Sequence, residues 1–457
     1  MAKKTYKDIP RVSQAVEGGT PVENVPPEGL GYERIPKEKY ISPEYYEQEW
    51  QQMWSKVWLL GSLERDLEKA GSYVCTEIGR ESVILVRQHD GEIKCFFNVC
   101  PHRGNRLVES GIGETKELFT CGYHGWQYKL DGRFNRIPNA ELFPQGKPCD
   151  GLTELPCEVW NNFVWFSLDQ NAIAFEEYMA PLKQHFEPYH FERMTLTRDV
   201  TMEWPCNWKT SVDAFNETYH VAATHPQLKW YLDDLDIQID CYERHSRYLV
   251  PFGVTSPHID RVPEVPPPLK YMLTEAGLDP AEWSGHVDGI REAVQKQLRE
   301  HAGEEGRDYS ELNDDQLTDD YNYLIFPNVT FNTHADHLML FRHRPHPSDP
   351  NKMYFDVWML EYIVDEEEMP EYRPRHKFHE YGSKSMGMVI DQDGYNLPRV
   401  QQGMNSAAYD GLWLGDLEVR IRHFHKTLDD YVSNDFEVSE VEEEPTGFRS
   451  LIQKLVT

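Results

Sequence analysis

The sequence predicts an α+β chain of more than one domain, and three observations carry that prediction. Between residues 72 and 100, SYVCTEI, SVILVRQ and IKCFFNVC alternate with period two, the pattern of short half-buried strands. Later, YNYLIFPNVTF, HADHLMLFRHR and MYFDVWMLEYI supply three strands for an antiparallel sheet. The stretch 416-DLEVRIRHFHKTLDDYV-432 then places Leu417, Ile421, Phe424 and Leu428 on one side of a long amphipathic helix. At 457 residues the chain can build two or three domains and a sizeable core.

Taken in order, residues 1–40 are rich in proline, glycine and charge and read as an extended N-terminal arm. A helix is expected within 41–70, packed on the later domain. Ser42 can cap its N-terminus, Pro43 suits its first position, and Tyr46, Trp50, Met53, Trp54 and Val57 recur at helical spacing. Residues 71–170 form the β-rich unit, in which His-Asp-Gly-Glu at 89–92 suits a hairpin turn and 156–168 closes the unit. Cys75, Cys95, Cys149 and Cys157 have no histidine at short spacing and read as packed small hydrophobes. A second unit covers 171–440. Within it, 255–320 reads as a surface insertion, with PEVPPPLKY followed by the helical AVQKQLREH. An acidic tail, 441–457, is expected to be solvated.

The chain holds 77 acidic against 46 basic residues, a formal net charge of −31. That disfavours nucleic acid and anionic membranes as partners, because both require basic patches. The basic start MAKKTYKDIPRVSQ lacks the apolar run of a signal peptide, and no stretch approaches a membrane span. Eight cysteines in so long a chain do not read as a disulfide framework. A cytoplasmic protein with reduced thiols is expected.

Two constellations carry chemistry. In 98-NVCPHRGNRLVESGIGETKELFTCGYHGWQY-128, Cys100 and His102 stand in one loop, Cys121 and His124 in another. Thiolates and neutral imidazoles bind borderline-soft metals, so structural zinc and a two-iron, two-sulfur cluster both suit the donors. Two features favour the cluster. Each loop gives one cysteine and one histidine, as needed to clamp a flat paired object from two sides. Glycine follows each histidine closely, at Gly104 and Gly125, letting backbone N–H groups approach sulfur. The pattern CPHRGNRL…CGYHGWQY resembles the Rieske [2Fe-2S] motif.

The second constellation is 207-NWKTSVDAFNETYHVAATHPQL-228, read as a helix that stops by Pro226. Asp213, Glu217 and His220 then share one helical face, and His225 reaches back only if the last turn unwinds. Two histidines and a carboxylate with open positions is the facial set of oxygen-activating non-haem iron(II). Two histidines near a helix end can also simply pack or cap; a cluster in the same chain, whose electrons need an acceptor, favours iron.

Taken together, residues 40–430 resemble the α subunit of the Rieske non-haem iron aromatic-ring-hydroxylating oxygenases. The resemblance implies an N-terminal all-β Rieske domain and a helix-grip (START/Bet v 1-like) catalytic domain, an antiparallel sheet around a long helix. It implies a [2Fe-2S] cluster on Cys100, His102, Cys121 and His124, and mononuclear Fe(II) on His220, His225 and a later aspartate. In 388-MVIDQDGYNLPRVQQGM-404 that ligand is Asp393, eight residues before Gln401, with Asp391 as the alternative, both placed just before a turn and helix. Glu217 takes the position of the acid bridging the two sites, and Asp213 a supporting position beside it. Many aromatic-ring dioxygenases have aspartate at Glu217 and asparagine at Asp213; glutamate is more familiar in the quaternary-ammonium branch. Implied co-substrates and partners are O₂, NAD(P)H electrons through a flavin reductase with or without a ferredoxin, and an α3 homotrimer or α3β3 assembly. A hydrophobic, aromatic or polycyclic substrate is expected, in a pocket drawn from Ala214, Phe215, Val221, Leu228, Phe326, Phe331 and Met339. Monooxygenation, demethylation or oxidation of a quaternary ammonium compound are the alternatives on the same machinery, and a bare Rieske electron carrier is the alternative from another class.

Overall fold

The computed structural model describes residues 29–433 except 261, 263, 284–286, 305 and 364–372. The acidic tail and most of the N-terminal arm lie outside the described residues. The arm's last part adds a short strand, β1 (Ile35–Pro36), to β21 (Gly411–Leu412), and then α1 (Glu38–Ile41).

Ser42 caps α2 (Pro43–Glu49), its side chain accepting from the Tyr45 N–H at 3.1 Å. The helix continues as one π turn over 50–54 and ends there. Residues 58–63, expected as helix, instead form strand β2 (Trp58–Leu63), because all six residues are buried between neighbours rather than along one stripe. β2 pairs with β12 (Phe163–Ser167), which pairs with β11 (Cys157–Trp160). The main sheet of this unit runs β10 (Glu154–Leu155), β5 (Ile93–Phe97), β4 (Glu81–Arg87), β3 (Ser72–Ile78), β6 (Gly111–Glu114). Gly79 makes the β3–β4 turn at φ +51°, and a Cβ there would stand 2.4 Å from the Trp50 ring, so glycine also lets the helical segment dock. A third small sheet, β7 (Leu118–Thr120), β8 (Gln127–Lys129) and β9 (Phe134–Arg136), carries the second Cys/His loop. All eight cysteines are free; Cys149, expected to be packed, is exposed, while Cys75 and Cys95 are buried.

Two short helices, α3 (Phe175–Met179) and α4 (Leu182–Phe186), lead into the second unit. Its sheet has eight strands in the order β14 (Gln238–Cys241), β15 (Ser246–Val250), β16 (Asp320–Ile325), β17 (Val329–Thr333), β18 (His337–Pro345), β19 (Met353–Tyr362), β13 (Met194–Trp204), β20 (Lys377–His379). Only the β13–β20 pair is parallel. YNYLIFPNVTF, expected as one strand, is two, β16 and β17, separated at Pro327, which cannot donate to a ladder. Helix α10 (Val419–Val432) packs with this sheet; its fully buried Arg420 donates to Ser246 and Asn322. The insertion contributes α7 (Pro267–Glu275) and α8 (Ile290–His301), with their own small core of Leu269, Leu273, Ile290 and Val294.

Two expected pocket residues pack in the core. Phe331, on β17, packs among Phe163, Phe186 and Phe191, with ring centroids 5.2–5.8 Å away. Phe326, just past β16, stacks on Tyr431 at 5.3 Å. Both are fully buried among these rings.

Two buried charges give measurable expectations. Lys209 and Glu49 form a 2.5 Å ion pair whose side chains have no exposure. Burial pushes the Glu49 carboxyl up and the Lys209 ammonium down, so each depends on the other. Lys209→Met leaves an unpaired carboxylate and should cost about 3–5 kcal/mol by chemical denaturation; a loss below about 1 kcal/mol contradicts this.

Asp320, at the start of β16, has a buried Oδ1 with no hydrogen-bond partner. Burial pushes its carboxyl up to about 7. The folded chain therefore holds a proton there that the unfolded chain releases near pH 4, so this stability is complete in acid and lost as pH rises through about 7. Asp320→Asn should match wild type near pH 4 and exceed it at pH 8 by about 2–4 kcal/mol. Calorimetry at the two pH values checks this, and an unchanged gap between the proteins contradicts it.

Candidate metal centres

The first centre is built from two near-identical loops. Cys100 N–H donates to Asn105 O and Gly104 N–H to Cys100 O; Cys121 N–H donates to Trp126 O and Gly125 N–H to Cys121 O. Gly104 and Gly125 have φ of +74° and +70°, which glycine adopts without strain. The loops bring the His102 and His124 rings to 4.5 Å, and His102 lies flat on Trp126 at 4.7 Å. Burial raises the Cys100 thiol, against a 2.9 Å hydrogen bond with the Tyr128 hydroxyl. Burial also opposes ionisation of Cys121, but the N–H groups of Tyr123 and His124 outweigh it and hold that thiol low. Burial and the charge of His124 depress His102, so its imidazole is neutral and free to ligate. The buried Nδ1 of His102 has no hydrogen-bond partner, which a metal bond would supply. These four residues fit a [2Fe-2S] cluster with two thiolate and two imidazole ligands.

The second centre departs from the expected single helix. Helix α5 (Trp208–Ala214) stops at Ala214, residues 215–220 are non-helical, and only α6 (Val221–Thr224) resumes. Asp213, Glu217 and His220 therefore do not share a helical face. The break instead lets Glu217 fold back on His220: Oε1 accepts from His220 Nδ1 at 2.5 Å and Oε2 from the His220 N–H at 3.0 Å. His225 ends α6 and turns inward, its Nδ1 donating to Gln392 Oε1 at 2.8 Å. Both contacts fix the tautomer, leaving each Nε2 as the ligand atom.

Those nitrogens meet Asp393, which lies inside helix α9 (Met388–Met404) rather than before it. His225 Nε2 is 3.0 Å from Asp393 Oδ1 and 3.1 Å from His220 Nε2; His220 Nε2 is 3.6 Å from the same oxygen. Ligands bound at about 2.1 Å and at right angles stand about 3.0 Å apart, so this triangle fits one metal ion with three adjacent positions filled. One ligand atom from each of His220, His225 and Asp393 lies within 4.8 Å of the other two, as a single ion requires. Burial works against a charged His220, yet Glu217 and then Asp393 raise it. Asp391 is turned away, accepting from the Ser385 hydroxyl and the Met386 N–H near the start of α9.

Phe215 packs against Phe341 and Phe355 and Ala214 against the main core, while Val221 and Leu228 belong to a cluster with Ile239 and Val419. Met339, opposite Asn332 in the sheet, is half-buried. Sequence reasoning missed Gln392, although it adjoins Asp393, and Trp126 and Tyr128, although both lie in the motif. The insertion and neighbouring strands border an open cleft of about 930 Å³ lined by Tyr231, Tyr271, Tyr362, His334 and Met272, and none of His220, His225 and Asp393 is among its lining residues. No helix among the described residues is long and apolar enough to cross a membrane.

Residues 191–434, more than half the chain, match the ring-hydroxylating α subunit catalytic domain, and residues 57–147 match the Rieske [2Fe-2S] domain. The chain is similar to the carnitine monooxygenase oxygenase subunit of Escherichia coli, 31% identical over 49% of this chain and 59% of that one. It therefore spans little more than half the length of that relative. The biphenyl 2,3-dioxygenase α subunit of Rhodococcus jostii is 26% identical over 81% of this chain and 77% of its own. Among solved structures, a quaternary ammonium Rieske monooxygenase in complex with L-carnitine superposes with a TM-score of 0.62 at 18% identity, covering 87% of this chain and 95% of that one. Naphthalene 1,2-dioxygenase with indole in its active site gives 0.60 at 19% identity, covering 88% and 92%. Both share the fold.

Proposed function

This chain belongs to the Rieske-type ring-hydroxylating oxygenase α subunits, and we propose that it is the terminal oxygenase of a multicomponent system that oxidises an organic substrate with O₂. The observation that carries the reading is the meeting of His220, His225 and Asp393 at metal-ligand spacing, in one chain with the paired Cys/His loops. A simple electron carrier has no use for that second centre. A cluster held by Cys100, His102, Cys121 and His124 would supply single-electron transfer, and a ferrous ion held by His220, His225 and Asp393 would supply open positions for O₂.

The chain's own residues do the positioning. Glu217 holds His220 through its ring Nδ1 and its backbone N–H, and Gln392 holds the His225 ring through one hydrogen bond at Nδ1. Asp393 would add the one carboxylate, so a ferrous ion held with two neutral imidazoles would keep one net positive charge. Trp126, stacked on His102, and Tyr128, bonded to Cys100, orient the first centre. A flavin reductase, with or without a ferredoxin, would supply electrons. A head-to-tail trimer, with or without a β subunit, would bring one protomer's His124 loop to its neighbour's Glu217. The exposed Tyr123 and Tyr219, which adjoin His124 and His220 in the chain, support such a contact.

For the substrate, the apolar residues around the ligands support a hydrophobic ring-bearing molecule. A second reading, an organic cation such as a quaternary ammonium compound, is favoured by the similarity to carnitine monooxygenase.

The test is anaerobic reconstitution followed by metal analysis, EPR and a product screen with a surrogate reductase. About three irons per chain, a Rieske-type EPR signal and substrate-dependent O₂ uptake are expected; two irons without uptake identify a carrier, and zinc without the signal refutes both. Screening aromatic, polycyclic and quaternary ammonium compounds separates the substrate readings.

A further inference from the structure

Helix α5 is short, and the six residues between it and α6 are not helical, so something else must fix where Glu217 and His220 hang. The N-terminal arm supplies it. The carbonyl of Tyr40, on α1, accepts from Asn207 Nδ2, the cap at the start of α5, at 2.9 Å. The Tyr40 hydroxyl reaches the other end of the same helix and donates to Asp213 Oδ2 at 2.5 Å. His425, on α10, places Nε2 2.7 Å from that hydroxyl and 3.3 Å from Asp213 Oδ1. Tyr40, Asp213 and His425 are all buried.

Counting protons gives the chain a direction. The hydroxyl has one proton and gives it to the carboxylate, so Nε2 must carry a proton and donate to the Tyr40 oxygen. Nδ1 of His425 is then a bare acceptor, and it is buried without a partner, where an orphaned N–H would cost more. The charged and titratable neighbours are Lys209, whose Nζ lies 5.7 Å from the Tyr40 ring centroid, Glu49, Lys39, Tyr45, Tyr409 and Glu418. Burial and the Asp213 charge keep the Tyr40 phenol protonated, and burial keeps His425 neutral, so one arrangement holds across neutral pH.

We infer that Tyr40, Asp213 and His425 are positioning residues for the mononuclear metal centre, setting the end of α5 from which Glu217 and His220 are suspended. The link is direct: the Asn216 N–H donates to the Asp213 carbonyl at 3.0 Å, so the turn leading to Glu217 starts on Asp213 itself. The start of α5 is tied to the helix that carries Asp393, because Gln401 Oε1 accepts from the Asn207 N–H at 2.9 Å and the Thr210 hydroxyl at 3.2 Å. Both halves of the ligand set are thus referred to one short helix, clamped at both ends. This rests on reading His220, His225 and Asp393 as a metal site.

The test is cobalt(II) titration of the full-length chain carrying its cluster but stripped of mononuclear metal, read by the visible spectrum of the bound cobalt, with thermal melting as a fold control. Tyr40→Phe and Asp213→Ala should each weaken cobalt binding about tenfold or more and shift its spectrum. Asp213→Asn, whose amide oxygen still accepts from Tyr40, should return to within about threefold of wild type with the wild-type spectrum. A Tyr40→Phe protein that folds and binds cobalt as wild type does overturns the inference, as does Asp213→Asn behaving like Asp213→Ala. If Tyr40→Phe does not fold, His425→Leu carries the same expectation and the same refutation. A wild-type chain that binds no cobalt overturns the metal-site reading itself, and the inference with it.

Discussion

Asp393→Ala should lower bound iron from about three atoms per chain to about two and abolish substrate-coupled O₂ uptake, while the Rieske-type EPR signal stays intact. The expected loss is at least about a thousandfold, because two imidazoles alone neither hold nor balance a ferrous ion. Asp393 is almost wholly buried and its Oδ1 is the third corner of the ligand triangle, 3.0 Å from His225 Nε2. Its removal leaves the two imidazoles facing a small void. Fold stability should change little, since no cation is left unpaired in the metal-free chain. The companion Asp391→Ala should keep all its iron, its carboxylate being spent on Ser385 and Met386. Iron analysis of the pair decides: full iron in the Asp393 variant, or loss confined to the Asp391 variant, would reverse the assignment.

Glu217→Gln should retain both metal centres yet slow delivery of electrons between them by about a hundredfold. Glu217 uses both oxygens on one residue, taking the Nδ1 proton and the backbone N–H of His220. Glutamine preserves one of these acceptors and sets an NH₂ group against the other donor. It also removes the negative charge that raises His220, lowering the basicity of its ligand nitrogen. Single-turnover oxidation of the pre-reduced cluster, followed by its visible absorbance, isolates this step from substrate binding. Wild-type rates in that variant would mean that Glu217 only orients a ring.

The first centre was legible in the sequence because its donors are local. Each loop fits Cys-x-His or Cys-x-x-His into one turn, and the glycines that permit the turn are four residues past each cysteine. The second was legible only as a set of residue types. Reading 207–225 as one helix put Asp213, Glu217 and His220 on a common face, whereas the helix ends at Ala214. The break is stabilised by contacts from elsewhere in the chain: Tyr40 at both ends of α5, Gln401 at its start and Gln392 on His225. Pattern reading likewise took the strand β2 as helix, because six buried residues in a row show neither period clearly. Phe326 and Phe331 looked like pocket residues by type, but burial against α10 and α3–α4 cannot be seen in composition.

By itself, then, the order of residues determined the strand-rich architecture, the cluster-type loops and the donors available to a second metal, since hydrophobic period and short-range ligand spacing act within a few residues. Tertiary structure decided which aspartate meets the two histidines, how Glu217 turns onto His220, and that a tyrosine from the N-terminal arm holds the helix between them. The contacts that fix α5 and His225 join residues from 167 to 194 positions apart, and only packing of buried polar groups onto their partners can select them.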